Sequence, residues 1–456
     1  MPLAKAFSGK AVAPSETPIS AYIHIPFCRR RCYYCDFPIS VVGDKPLVRQ
    51  QGADGKLPVR MNGSHSATIA QYIEILCREI YLTPSRGSLL ETVFLGGGTP
   101  SLLSVDQLAS VLAALSQQFG ISSAAEISME IDPATFNLEQ LQGYRAVGVN
   151  RVSLGVQAFQ PQLLAACGRS HTVEDIYQAI DLIHQAGFQN VSLDLISGLP
   201  HQTLEHWQNS LAQAIALAPT HLSCYDLTVE AGTPFSRQYK PGISPLPSDD
   251  TTAAMYRLAQ KTLTTAGYDH YEISNYAKSG YQCRHNRVYW ENRPFYGFGM
   301  GATSYLDGDR FARPRKTREY YDWVREREEK RTEEGREDTN SRTINSQQLS
   351  TATIPPASPS PSTPDLLLDT LMLGLRLAEG LSLADLEEKF GQAVLERIWV
   401  CLRPHYQKGW VRMQPDLEFT DFQSEHLPPT GRIQLTDPEG FLFSNIILID
   451  LFQELS

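Results

Sequence analysis

HIPFCRRRCYYCDF, residues 24–37, sets Cys28, Cys32 and Cys35 in a C-x3-C-x2-C spacing directly after an apolar, strand-like run. Iron–sulfur clusters are held by thiolates, and four of them normally close a cubane. Three thiolates leave one iron open, which S-adenosylmethionine (SAM) chelates through its amino and carboxylate groups. The loop is short enough to wrap a cubane, and Arg29, Arg30 and Arg31 offset thiolate charge. The same spacing admits a single zinc ion completed by Asp36 or His24. Three unlinked thiols would leave the tight spacing without a reason. The spacing therefore favours a [4Fe–4S] cluster with an open iron.

Outward from this loop, short β-rich runs alternate with amphipathic stretches. The expected strands are 21–25, 92–95, 126–131, 151–154, 191–195 and 221–225. Apolar residues at helical spacing mark helices over 104–119, 173–186 and 203–217. Repeated β–α units imply parallel strands with covering helices, hence an α/β fold. The expectation is a partial or complete (β/α) barrel, with an open doubly wound sheet as the rival.

In such barrels the working residues sit at the C-terminal ends of the strands. The cysteine loop follows strand one, and Gly96-Gly97-Gly98-Thr99-Pro100 follows strand two, where bare backbone suits close approach to a methionine moiety. Glu130 closes strand three, Gln157 follows strand four and Asp194 closes strand five. Arg169, in GRSHT, precedes the next helix, and Thr228 follows strand six. Carboxylates suit ribose hydroxyls or an ammonium group, and a cation suits the SAM carboxylate. Singly, each has a plainer explanation as a turn glycine, a helix cap or an ion-pair partner. Together on one rim they form a pattern.

With 456 residues the chain should divide into two or three domains. Its 40 basic and 50 acidic residues give a net charge of −10, which offers no footprint for nucleic acid or an anionic membrane. The N-terminal residues 1–20 lack an apolar core of the signal-peptide kind and read as a tail. The late apolar stretch 441–452 contains Asp450 and is too short to span a bilayer, so no transmembrane segment is expected. Of eight cysteines, three crowd into residues 28–35, which suggests metal in a reducing cytoplasm rather than disulfides.

Residues 21–324 form the expected barrel, with 41–66, rich in Gly, Lys and Asp, as an inserted surface loop. Residues 325–364 read as a linker: first the charged run REREEKRTEEGRED, able to extend a helix, then Ser/Thr/Pro-rich TATIPPASPSPSTPD. Beyond it, 365–456 is a smaller α+β domain. LLLDTLMLGLRLAEG and LSLADLEEKFG read as helices and GWVRMQPDLEFTD as a hairpin, a winged-helix-like order whose acidic surroundings argue against DNA binding.

HIPFCRRRCYYCDF, FLGGGTPSLL, RVSLGVQAF, GRSHT, VSLDLISGLP, LTVEAGTPF, YEISNYA and CRHNRVYW follow one another in an order that resembles the oxygen-independent coproporphyrinogen III oxidase family. The resemblance covers roughly Tyr22–Tyr305 and, more weakly, the C-terminal region. It implies a radical SAM partial barrel with a smaller, HemN-like C-terminal domain. It further implies that Cys28, Cys32 and Cys35 bind the cluster. Tyr22, Tyr34, Gly97, Gly98, Thr99, Glu130, Gln157, Arg169, Asp194 and Thr228 would then line the SAM site.

Within the family, true coproporphyrinogen oxidases continue the cysteine loop into a C-x-C ending and carry a longer N-terminal extension. Here the position is Phe37, and much of the extension is missing. Both departures argue against the double decarboxylation and resemble the haem chaperone (HemW-type) branch, which binds haem and transfers it to acceptor proteins.

His285-Asn286-Arg287-Val288-Tyr289-Trp290 matches the HNxxYW signature associated with haem handling in that branch. Imidazole and phenolate both serve as axial haem ligands, which makes His285 and Tyr289 the haem candidates, with Trp290 against the ring and Arg284 and Arg287 at the propionates. The plainer reading is a hydrogen-bonded histidine among core aromatics. Three functions compete: a haem chaperone, a coproporphyrinogen III oxidase, and an anaerobic haem-degrading radical methyltransferase. The implied partners are haem, a haem-acceptor protein and an electron donor such as a flavodoxin or ferredoxin.

Overall fold

The structure, a computed structural model, describes residues 17–43, 63–340, 363–414 and 431–455. β1 (Ser20–Ile25) leads into two short strands, β2 (Phe27–Cys28) and β3 (Ser40–Val41), which pair in parallel and close the cysteine loop between them. Then come α1 (Gly63–Leu82), β4 (Leu90–Gly97), α2 (Val105–Phe119), β5 (Ile121–Ile131), α3 (Leu138–Ala146) and β6 (Arg151–Gln157). The alternation continues with α4 (Pro161–Ala166), α5 (Val173–Gln185), β7 (Asn190–Ser197), α6 (Leu204–Ala216) and β8 (His221–Asp226). After α7 (Pro234–Gln238) and α8 (Asp249–Thr265), two short antiparallel strands follow, β9 (Asp269–Glu272) and β10 (Asn275–Ala277). α9 (Arg284–Trp290), β11 (Tyr296–Phe298), the hairpin β12 (Thr303–Leu306) and β13 (Asp309–Ala312), and α10 (Thr317–Asn340) complete this unit.

The strands β1, β4, β5, β6, β7 and β8 pair in parallel in chain order. β11 adds in parallel beyond β1, and β10 and then β9 add beyond β8. A doubly wound sheet would reverse its order at a switch point and take helices on both faces. A monotone order with right-handed crossovers keeps the helices on one face, so the sheet curls into a partial barrel. Its two edges, β11 and β9, do not pair with each other.

The helices start where side chains satisfy the first free N–H groups. Ser104 with Gln107, Thr172 with Asp175 and Thr203 with His206 form capping boxes at α2, α5 and α6. Each helix then buries one stripe: in α5 it is Ile176, Ala179, Ile180 and Ile183. A fully buried large aliphatic side chain contributes about 1.5–3 kcal/mol.

The C-terminal unit has its own core. It comprises α11 (Thr363–Gly374), β14 (Leu381–Ser382), α12 (Leu383–Phe390), α13 (Gln392–Gln407), β15 (Val411–Gln414), β16 (Arg432–Leu435), α14 (Glu439–Leu442) and α15 (Ser444–Leu455). Its sheet runs β14-β16-β15. The first expected helix stops at Gly374, where the backbone turns to lay 376–378 along β9: Ile273 N–H donates to Arg376 O and Ala378 N–H to Tyr271 O. Arg257 with Glu439, and His270 with Asp437, fasten the same face.

Three boundaries differ from expectation. Gly63–Ser66 belong to α1 and Val41 to β3, while 44–62, the middle of the expected insertion, lie outside the described residues. The charged run continues α10 to Asn340 rather than opening a linker at 325. Its Glu, Lys and Arg are good helix formers, and Glu328 and Arg331 tie it to α1 through Arg78 and the Tyr81 carbonyl. Residues 341–362 lie outside the described residues. The partner of β15 is β16 and not the end of the GWVRMQPDLEFTD segment, whose second half also lies outside them. Among the described residues no helix is long and apolar enough to cross a membrane.

Candidate functional site

The cysteine loop is closed by backbone bonds from Ser40 N–H to Pro26 O and from Val42 N–H to Cys28 O, at 2.7 and 2.8 Å. Inside it, Arg31 donates to the carbonyls of Cys35 and Phe37, and Arg315 donates to that of Asp36. Tyr33 N–H donates to Cys167 O and Tyr33 O accepts from Phe235 N–H, so the loop is sewn to the C-terminus of α4 and to α7. All three thiols face one cavity of about 530 Å³ at the C-terminal ends of the strands. Burial pushes the Cys28 thiol up to about 12, and Cys35 is raised for the same reason. Among the described residues no group of three His, Cys, Asp or Glu side chains is placed to hold a single metal ion. A zinc site needs every donor about 2.0–2.3 Å from one point. A cubane takes each thiolate on a separate iron, so the donor set fits a cluster better than zinc.

The glycine run does two jobs. Gly97 has φ +109°, and a Cβ there would lie 2.4 Å from the His24 ring. At Gly98 a Cβ would meet the carbonyls of Phe27 and Ile25 at 2.7 and 2.8 Å. Only bare backbone lets the end of β4 pack on the cysteine loop, and Gly97 and Gly98 still line the cavity. Thr99 sits 3.7 Å from Cys28 Sγ, with its hydroxyl as donor.

Glu130 Oε2 accepts from Gly97 N–H at 3.0 Å. Burial, reinforced by Asp194, holds its carboxyl near 7. Asp194 accepts from Ser153 through both oxygens, at 3.0 and 3.1 Å, and burial raises it as well. Gln157 ends β6 with φ +67°, beside a register shift between β6 and β7. A left-handed non-glycine at a strand end is uncommon and marks stored strain. Arg169 is nearly buried; it pairs with Asp132, donates to Gly155 O at 2.9 Å and reaches Cys32 Sγ at 3.5 Å. Its Nε is buried without a partner, an available donor. Tyr34 and Thr228 line the same cavity.

Three of the expected residues lie away from the cavity. Tyr22 does not line the cavity; it lies mid-strand, and its hydroxyl is engaged by His24 Nδ1 at 3.0 Å. His285 is fully buried, stacked on Phe94, with Nδ1 at 2.8 Å from Thr92 Oγ1 and Nε2 at 2.8 Å from the Tyr289 hydroxyl. A neutral imidazole has one donor and one acceptor nitrogen. Both are used, so His285 offers iron no free lone pair in this conformation, and burial raises the Tyr289 phenol, which disfavours the phenolate that an iron ligand needs. Burial drives His285 down to about 3, which keeps it neutral. Around it, Trp290 lies under Arg376, Arg284 meets Glu91, and Arg287 is held by Glu291 and Glu379.

The cavity also holds residues that sequence reasoning passed over as site members: Asp132, Ser153, Tyr225, Asp226, and Arg29, Arg30 and Phe37 of the loop itself. Asp132 stands two positions after Glu130, and Tyr225 and Asp226 end β8. The strand-end rule that selected Asp194 would have found them.

Known proteins match this arrangement. The Radical SAM superfamily model matches residues 22–214 and the HemN C-terminal domain model residues 362–410. A protein named heme chaperone HemW from Synechocystis is 45% identical over 445 residues, covering 96% of this chain and 97% of its own. Its namesake from Bacillus subtilis is 36% identical over 311 residues, 68% of this chain and 76% of the relative. The solved structure of coproporphyrinogen III oxidase (HemN) from Escherichia coli, a radical SAM enzyme, superposes with a TM-score of 0.71 at 23% identity, covering 97% of this chain and 92% of that one. At that identity the likeness speaks for the fold.

Proposed function

Because the chain belongs to the HemW family, being 45% identical to a member along nearly its whole length, we propose that it is a haem chaperone that binds haem and passes it to acceptor proteins. A [4Fe–4S] cluster and SAM are its resident cofactors. The observation that carries the choice over the oxidase is Phe37, a phenyl ring where the oxidases place a further cysteine.

Cys28, Cys32 and Cys35 would hold the cluster. Tyr34, Gly97, Gly98, Thr99, Glu130, Gln157, Arg169, Asp194 and Thr228 would hold SAM. Support comes from their convergence on one cavity and from the orphaned Arg169 Nε, which suits a ligand carboxylate. When bound, the cluster supplies single electrons to the SAM sulfonium. Asp194, fixed by Ser153, and Glu130, fixed by Gly97, orient hydroxyl or ammonium groups of the nucleoside and methionine ends. Near neutrality Glu130 is divided between its acid and its carboxylate, so it can donate or accept at Oε1. The electron donor would be a small one-electron carrier of the flavodoxin or ferredoxin kind, and the compartment a reducing cytoplasm.

The test is anaerobic reconstitution with iron and sulfide, followed by haem titration and assays with SAM and reductant. A stable Soret band, little 5′-deoxyadenosine and untouched coproporphyrinogen III are expected. Conversion of coproporphyrinogen III with stoichiometric 5′-deoxyadenosine would overturn the reading, and bleaching of the Soret band would point to haem degradation.

A further inference from the structure

The lip of the SAM cavity carries features that neither the cluster nor SAM uses. Phe37 lines it and is 53% exposed. That exposure does not come from a loose loop, because Arg31 and Arg315 hold the carbonyls of Cys35, Asp36 and Phe37. An exposed phenyl on a pinned backbone is an apolar platform, and leaving one in water costs free energy that burial would recover. Across the opening, Tyr225 is 43% exposed although it belongs to β8, and Leu227 lies two residues on; Ile39 lies on the Phe37 side.

Charge of both signs lines this mouth, and its cations lie on the loop side, where Asp36 adjoins Phe37. Arg29 and Arg30 line the loop side, where Arg29 donates one N–H to Ala134 O at 2.9 Å. Arg30 is exposed and makes no hydrogen bond or ion pair with any described residue. The opposite wall carries Asp226 and Glu230. A ligand suited to this lip is flat, apolar on both faces, and carries carboxylates on one edge only. That edge would face the arginines and turn away from Asp226 and Glu230.

We propose that haem docks across the mouth of the SAM cavity, one face on Phe37 and its propionates on Arg29 and Arg30. This rests on the haem chaperone reading and adds the location. The buried His285 helix plays no part in it. An acidic protein could also meet the arginines. However, Phe37 and Arg30 line a concave wall, and a concave, mostly apolar site with a few placed polar groups is the usual form of a small-molecule site.

The test is a haemin titration, followed by the Soret band, of the reconstituted full chain, its Phe37→Asp and Arg30→Glu variants, and the wild type with haemin dimethyl ester. Iron content and melting midpoint are measured alongside. A charge-assisted contact to one propionate corresponds to about a tenfold affinity change or more. Both variants should bind haemin at least tenfold more weakly at unchanged iron content, and the wild type should bind the ester at least tenfold more weakly than haemin. Wild-type affinity in both variants, or equal affinity for ester and acid, overturns the location and leaves the chaperone reading intact. No haemin binding by the wild type overturns the chaperone reading and the location with it. The ester comparison needs no variant, so a misfolded substitution cannot rescue the proposal.

Discussion

Replacing His285 by alanine separates a structural histidine from a haem ligand. The imidazole is fully buried against Phe94 and bridges Thr92 and Tyr289. Truncation leaves a cavity, costing about 2–3 kcal/mol, and orphans two hydroxyls at about 1 kcal/mol each. The sum, about 4–5 kcal/mol, corresponds to a fall of roughly 10 °C in melting midpoint for a unit of this size. Haem affinity, measured well below the variant's midpoint, should stay within a factor of two or so of wild type, since no ligand nitrogen has been removed. The acid limb gives a second reading. Folding lowers the His285 pKa to about 3 from 6.5, so between these values the unfolded chain binds a proton that the folded chain does not. The resulting stability is complete above pH 6.5 and is lost as pH falls through that window. His24 and His171, both lowered to about 4 by burial, act in the same direction. His285→Phe should therefore show a shallower loss of stability between pH 6.5 and 4 than wild type. A Soret band lost in His285→Ala with the melting midpoint and acid slope unchanged would refute the argument.

Arg169→Lys keeps the charge but loses the fork that serves Asp132, Gly155 O and the cavity together, so SAM affinity by calorimetry should fall at least tenfold at unchanged iron content. Gly97→Ala should cost about 2 kcal/mol or more, since it combines a left-handed φ with a collision against His24. Gly280→Ala, at φ +83° with nothing within 4 Å, is its control and should cost only about 1 kcal/mol in urea unfolding. Glu79→Gln breaks a buried pair with Arg313 that also receives Tyr320 O–H and Gly299 N–H, and should lower stability by about 3–5 kcal/mol. An unchanged urea midpoint there would mean that the network is dispensable.

The parallel strands were readable from short β-rich runs such as VSLDLI, and their helices from apolar residues at helical spacing between those runs. The rim followed from strand ends, so Glu130, Gln157 and Asp194 could be named without coordinates. Tyr22 came from the family resemblance and not from a strand end. It shares the inward face of β1 with His24, and only the register of β1 against β4 reveals that it lies a layer below the cavity. The charged run after Arg325 left two readings open. Its composition suits a solvated tail and an exposed helix equally, and only α1 lying beneath it selects the helix.

HNRVYW was the hardest segment to read, because its residue types suit both a porphyrin and a core. The chain order explains which applies. β9 and β10 form one edge of the open barrel, β11 forms the other, and α9 is the connection between them. A partial barrel whose edges do not pair must fill the gap with side chains, and this seven-residue helix is what the connection supplies. Its inner side is polar because the barrel floor it meets is polar. Glu126 accepts from the backbone N–H groups of Arg284 and His285, and Tyr271 O–H lies between His221 and Cys283 N–H. Its outer side, Arg287 and Trp290, is taken by Glu379 and Arg376 of the C-terminal unit. Arg284, His285 and Tyr289 on this helix are thus committed to closing the barrel, and Arg287 to docking the second domain. Moving such a helix to expose His285 would unmake both contacts, whereas the Phe37 lip is open without any movement.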